Sequence, residues 1–365
     1  MHFDFLPSRT LTLYLAKMFA VRILAVLVML VLVLMMMDLL SESGKILAAA
    51  GNGQAELLTY MSLRVPQLIA RFLPYSVLLA TLITLVVLNQ NSEVIAMKAA
   101  GLSAHQVLAP LILTAAVVSL ASFAFNERIV ARSTATLKAW QANEYGPVPP
   151  DTGVRSNVYV TDGADILAAA AVFGEGPAMT MRDVSYYRRN PEGMIIERLT
   201  APRAVYANPG WRLSEAERFE VQGANSSTLA APVVGLGVTP QQIELARVDP
   251  ETKSFNELTE SIQRYEDAGR NSDELRAIWW HKISGPLSAM LMPILGSIAA
   301  FGLARSGQLF VRALIGMALG FAYFVVDNAA LAMGGFGGYP PFLAAFAPFL
   351  LLLLIGETML IRTEE

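Results

Sequence analysis

Residues 18–40 read MFAVRILAVLVMLVLVLMMMDLL, and this stretch decides the class of the fold. A helix that crosses a bilayer needs roughly 20 mostly apolar residues. The run meets that length and carries no charge between Arg22 and Asp38. It is longer than the roughly 7–15 apolar residues of a secretory signal. It is therefore expected to stay as an uncleaved anchor, although Ala48-Ala49-Ala50 has the small residues of a cleavage region. Working outward, the same criterion selects Val65–Leu88, Val107–Phe125, Ile278–Leu303, Phe310–Met333 and Pro341–Ile361. The expected architecture is an α-helical polytopic membrane protein with six transmembrane helices in a 3+3 arrangement and a domain inserted between the halves.

Charge divides the chain in the same way. Residues 127–277 hold 16 Lys/Arg and 21 Asp/Glu, against 11 and 9 in all the rest. The expected division is thus 1–126, 127–277 and 278–365. Within the middle segment, Val158-Tyr159-Val160, Val184-Ser185-Tyr186-Tyr187, Met194-Ile195-Ile196-Glu197 and Arg218-Phe219-Glu220-Val221 have strand character. Turn signals separate them at Asp162-Gly163, Gly174-Glu175-Gly176-Pro177, Asn190-Pro191-Glu192-Gly193 and Asn208-Pro209-Gly210. Short strands at this spacing predict an all-β domain: a sandwich, barrel or jelly roll. Ser254–Ala268, with Leu258, Ile262 and Tyr265 at helical spacing, predicts an amphipathic helix leading to helix four.

Orientation follows from Lys and Arg at the helix ends. Arg9, Lys17, Arg22, Lys98, Arg305, Arg312 and Arg362 fall on one side if the helices alternate, whereas the opposite short loops hold only Lys45 and Arg64. Both termini are expected in the cytoplasm and the inserted domain outside it.

Several chemistries are excluded. There is no cysteine, and His2, His105 and His281 match no metal-ligand spacing. The Gly44-Lys45 pair lacks the upstream glycine and the following Ser/Thr of a phosphate-cradling loop. No metalloprotease or nucleophile-elbow pattern occurs. Neither a catalytic site, a cofactor, a metal nor a nucleic-acid partner is expected.

The informative loop is Asn89–Ser103. Ser92 can cap a short helix with Glu93 in its first turn, Val94, Met97 and Ala100 share one face, and Gly101 stops it. Such a coupling helix, about 91–101, either rests on lipid headgroups or docks in a groove of a cytoplasmic motor, and chemistry alone does not separate the two. Asp327 and Asn328, polar inside helix five, are expected to make a helix–helix hydrogen bond.

The order of several short motifs then resembles a known family. In the first half these are Val65-Pro66, Phe72-Leu73-Pro74, Ser92-Glu93, Met97-Lys98-Ala99-Ala100-Gly101-Leu102-Ser103 and Pro110. In the second they are Trp280-His281-Lys282-Ile283-Ser284-Gly285-Pro286-Leu287, Phe301-Gly302, Arg305-Ser306-Gly307 and Phe321–Asn328, followed by Gly338-Tyr339-Pro340-Pro341 through Pro348. Together with the 3+domain+3 layout they resemble the LptF/LptG permeases of the lipopolysaccharide export ABC transporter, nearer the LptG branch. The resemblance implies an inner-membrane subunit paired with an LptF paralogue and a periplasmic β-jellyroll. It implies a dimeric LptB ATPase gripping the coupling helices, with lipopolysaccharide passed on towards LptC. It favours the docking reading for Ser92, Glu93, Val94, Met97 and Gly101. The anionic lipid would meet basic residues at the rim of a cavity, where the candidates are Lys45, Arg64, Arg71, Arg132 and Lys138. Each is also of a type that snorkels at an interface. The family's lysine cluster near the outer end of helix one is replaced here by Met35, Asp38, Ser41 and Glu42, so those contacts do not carry over. The rivals are a permease of another envelope exporter and a membrane-anchored envelope sensor or scaffold.

Reporter fusions test the orientation. A phosphatase fused at Gly210 should be active outside the cytoplasm, and a fluorescent protein at the C terminus should fold inside it. A cytoplasmic signal at Gly210 would overturn the topology.

Overall fold

The structure, a computed structural model, describes residues 6–146, 155–174, 176–221, 223, 225–244, 248–267, 269–301 and 309–364. In chain order the helices are α1 (Arg9–Ala48), α2 (Gln54–Gln90), α3 (Glu93–Ala99), α4 (Ala104–Phe125), α5 (Ala131–Ala142), α6 (Pro240–Glu244), α7 (Phe255–Asp267), α8 (Asp273–Phe301), α9 (Leu309–Gly335) and α10 (Pro341–Glu364). The chain forms two units: Met1–Asp38 with Val65–Val130 and Ser254–Glu365, and Leu39–Arg64 with Ala131–Lys253. The expected boundaries at 127 and 277 differ from these. The end of α1 and the start of α2 group with the β segment, and α7 groups with the helices. A π-helical segment, Asn126–Val130, joins α4 to α5 where the units change.

The first unit is helical. Among the described residues five stretches are long and apolar enough to cross a membrane: Arg9–Ala48, Gln54–Gln90, Ala104–Ala142, Leu314–Gly335 and Pro341–Arg362. The expected fourth helix is present as α8, which opens on the charged Asp273, Glu274 and Arg276. Arg312, expected in a loop, lies within α9, while the rest of that loop, with Arg305, falls at 302–308, outside the described residues. Small residues set the helix contacts. A Cβ added at Gly296 would meet the Thr81 side chain, one at Gly320 Leu78, one at Gly334 Ala344 and one at Gly356 Ile294. Apolar lipid supplies no hydrophobic drive between helices, so close van der Waals approach at such positions takes its place.

Polar groups inside the bundle are mostly absorbed locally. Thr81, Ser288 and Ser297 donate to carbonyls one turn back on their own helices, at 2.8, 2.6 and 2.7 Å. Asn328, expected to bond across helices, is exposed and instead donates to Phe324 O at 2.7 Å within α9. Asp327 is buried, with His281 Nε2 of α8 at 3.8 Å, an ion-pair distance rather than a hydrogen bond. Outside the spans, Ser254 and Glu257 form a reciprocal cap on α7, and Phe255 N donates to Glu127 at 2.6 Å. Trp279 Nε1 donates to Thr259 at 2.8 Å, and Arg276 pairs with Glu266, fastening α7 to α8. Hydrogen bonds from Ser272 and then Arg276 hold the Glu266 carboxyl below its ordinary pKa.

The second unit contains one antiparallel sheet of eight strands: β1 (Arg155–Asp162), β2 (Asp165–Phe173), β3 (Thr180–Arg189), β4 (Ile195–Tyr206), β5 (Trp211–Ser214), β6 (Ala216–Glu220), β7 (Asn225–Leu229) and β8 (Val233–Val234). The four expected strand pieces lie in β1, β3, β4 and β6, with Met194 and Val221 just beyond the strand ends. The sheet forks. The first half of β4 pairs with β6, from Glu197↔Glu220 to Thr200↔Glu217, and its second half pairs with β5, from Arg203↔Ser214 to Tyr206↔Trp211. Glu215, at φ 53, turns the chain from β5 into β6. At the expected Asn208-Pro209-Gly210 turn, φ is +86 at Gly210 and a Cβ would come within 2.8 Å of Val234 O, so only glycine fits. The core gathers Val172, Met179, Ala204, Trp211, Leu213 and Ile243, and the Trp211 indole donates to Val238 O at 3.0 Å. In the same unit Tyr145 joins the helix ends: its hydroxyl donates to Glu42 at 2.6 Å, and its carbonyl accepts from Asn52 at 2.8 Å.

Trp211→Ala removes a fully buried side chain and a buried donor. It should destabilise the β unit by about 3–5 kcal/mol. Faster proteolysis within 155–234 of the full chain in detergent is the expected readout, and unchanged resistance would contradict this core.

Candidate functional site

Helix α3 is bounded by local backbone devices at its end. Gly101 takes φ +88, Gly101 N donates to Lys98 O at 3.0 Å, and Leu102 N donates to Met97 O at 3.2 Å. These two bonds satisfy the last carbonyls, and the left-handed residue they need is the glycine expected from the sequence. The next helix starts at once: Ser103 and Gln106 cap α4 reciprocally, at 3.2 and 3.0 Å. At the front of α3 the expectation is corrected. Ser92 adopts φ 58 and its side chain makes no capping bond. A left-handed residue cannot aim its hydroxyl at the first amides as an extended N-cap does.

The faces of α3 are also reassigned. Val94 and Met97, expected to meet a partner, are buried within the chain's own helical unit, at 4% and 8% exposure. The apolar side chain turned outward is Ile95, 66% exposed, and Ala96, Lys98 and Ala99 share that exposure. A three-residue spacing identifies which residues share a face, but not whether that face turns inward. Glu93 is engaged within the chain: Tyr14 Oη of α1 donates to its two oxygens at 3.4 and 3.3 Å, and Asn91 Nδ2 donates at 3.3 Å. Close by in the chain, His105 of α4 lies 3.0 Å from Glu357 of α10. Neither Tyr14 nor Glu357 had a local sequence signal, because each contact joins segments far apart in the chain.

The five basic candidates do not form one group. Lys45, Arg64, Arg132 and Lys138 belong to the second unit and Arg71 to the first. Two of them already have carboxylates. Lys45 pairs with Glu42 at 2.8 Å. Lys138 pairs with Asp249 at 2.6 Å and Glu251 at 2.9 Å. An anionic ligand at Lys138 would have to displace these two internal partners.

Known proteins place this arrangement. The model of the family described as "Lipopolysaccharide export system permease LptF/LptG" matches residues 13–362. The "Lipopolysaccharide export system permease protein LptG" of Escherichia coli strain K12 is 26% identical over 338 residues, covering 89% of this chain and 92% of that protein. The protein of the same description from Haemophilus influenzae is 21% identical over 318 residues, covering 84% and 86%.

The absence of cysteine makes the α3 geometry directly readable. Single cysteines at 95 and 96 should react rapidly with a polar maleimide, and cysteines at 94 and 97 should react at least about tenfold more slowly, as buried thiols do. Equal rates along 93–98 would contradict the assigned faces.

Proposed function

Because the chain belongs to the LptF/LptG family of lipopolysaccharide export permeases, we propose that it extracts lipopolysaccharide from the inner membrane and hands it towards the outer membrane, driven by a separate ATPase. The observation that carries this reading is the family match across residues 13–362, which runs through both helical stretches and the β segment between them. In this proposal α8 completes six crossings, both termini and α3 lie in the cytoplasm, and the β unit lies in the periplasm as a jelly-roll-like passage. Lys/Arg asymmetry supports that orientation. The partners are an LptB dimer on the cytoplasmic side, an LptF paralogue in the membrane and LptC beyond it.

Coupling is assigned to α3. Ile95 offers an apolar knob flanked by the acidic Glu93 and the basic Lys98. Buried Val94 and Met97 tie the helix to the chain's own bundle, so a load applied to Ile95 is passed inward. For the lipid, Arg71 and Arg132 are exposed and Lys45 and Lys138 carboxylate-paired. The first pair therefore offers the less costly phosphate contacts, and Lys138 offers one that requires exchange of Asp249 and Glu251 for phosphate.

Glu93→Ala with Ile95→Asp should weaken association with the ATPase about tenfold or more, the worth of one charge-assisted contact. Copurified ATPase and exported lipopolysaccharide should both fall while membrane insertion stays normal. Unchanged copurification and export in this double variant would show that α3 is not the coupling element.

A further inference from the structure

Glu93 sits in the first turn of a helix only seven residues long, and the residue before it supplies no side-chain cap. Its carboxylate takes hydrogen bonds from outside α3. One donor lies on α1, 79 residues earlier, where the Tyr14 hydroxyl reaches Oε1 at 3.4 Å and Oε2 at 3.3 Å. Asn91 adds one donor to Oε1 at 3.3 Å. An ionised carboxylate has about four acceptor positions. Two donors, making three long contacts, orient the group and leave acceptor capacity open for a cationic donor from outside. Tyr14 is 47% exposed, but its backbone is anchored: the next residue, Leu15, and Phe19 one turn beyond it are both fully buried, and α1 runs without an internal proline from Arg9 to Ala48.

We propose that Tyr14 is a positioning residue. It ties the Glu93 carboxylate of α3 to α1 and so passes displacement of α3 into α1. The inference rests on α3 being the docking element. If it holds, removing the Tyr14 hydroxyl leaves the motor's grip on α3 largely intact, because Ile95 and Glu93 remain, but loosens the link from α3 to α1. Grip and transmission therefore separate, which a purely structural role for Tyr14 would not produce.

The test uses the full transporter complex in liposomes containing lipopolysaccharide, with Tyr14→Phe, Glu93→Gln, the pair together and Glu93→Ala. Two quantities are read: ATPase retained on the purified complex, and lipopolysaccharide released per ATP hydrolysed. Tyr14→Phe should retain the ATPase and lower release per ATP by about two- to fivefold, the range expected for an exposed charge-assisted contact. In the Glu93→Gln background it should lower release no further. Unchanged release per ATP in Tyr14→Phe, or an undiminished second drop in the double variant, would overturn the role of Tyr14 while leaving the docking reading in place. Full ATPase retention and full release in Glu93→Ala would remove the docking reading and this inference with it.

Discussion

A peptide backbone inside hydrocarbon has no water to bond with, and every N–H and C=O must find a partner within the protein. The long helices of the first unit answer that constraint. Hydroxyls at Thr81, Ser288 and Ser297 likewise return their hydrogen bonds to their own helix carbonyls. Once the helices are self-satisfied, what remains is how closely they approach, and Gly296, Gly320, Gly334 and Gly356 decide that at four contacts where a Cβ would collide.

The same constraint explains the two treatments of charge. Asp327, buried on α9, has only the imidazole of His281 within ion-pairing distance among the described residues. Elsewhere charges are handled by partly exposed pairs: Arg276 with Glu266, Lys45 with Glu42, and Lys138 with Asp249 and Glu251. Such pairs contribute little to stability individually, on the order of 1 kcal/mol or less. A lysine already matched by carboxylates could receive another anion only by exchange.

The β unit shows where local signals hold and where they fail. The turns at Asp162-Gly163 and Asn208-Pro209-Gly210 were legible because the left-handed backbone at Gly163 and Gly210 strongly favours glycine. The strand β2, with its run Ala168–Ala171, was not among the expected strands, since alanine prefers helix and carries no alternation. It is a strand because β1 and β3 pair with it on both sides and its alanines are largely buried. The polar β7, Asn225–Leu229, was likewise missed and is defined only by its ladder with β6.

The sequence by itself determined the apolar spans, the β character of the inserted segment, the Gly101 stop and the family, because each depends on local composition or on the order of motifs. Tertiary structure alone decided the fork in β4, the partners of Lys138 and which side of α3 faces out. Val94 and Met97 share a face by helical spacing, but that face turns inward, leaving Ile95 exposed. Periodicity specifies relative direction around a helix axis. The absolute direction is set by what the rest of the chain packs against it, and at Glu93 that includes a tyrosine 79 residues away.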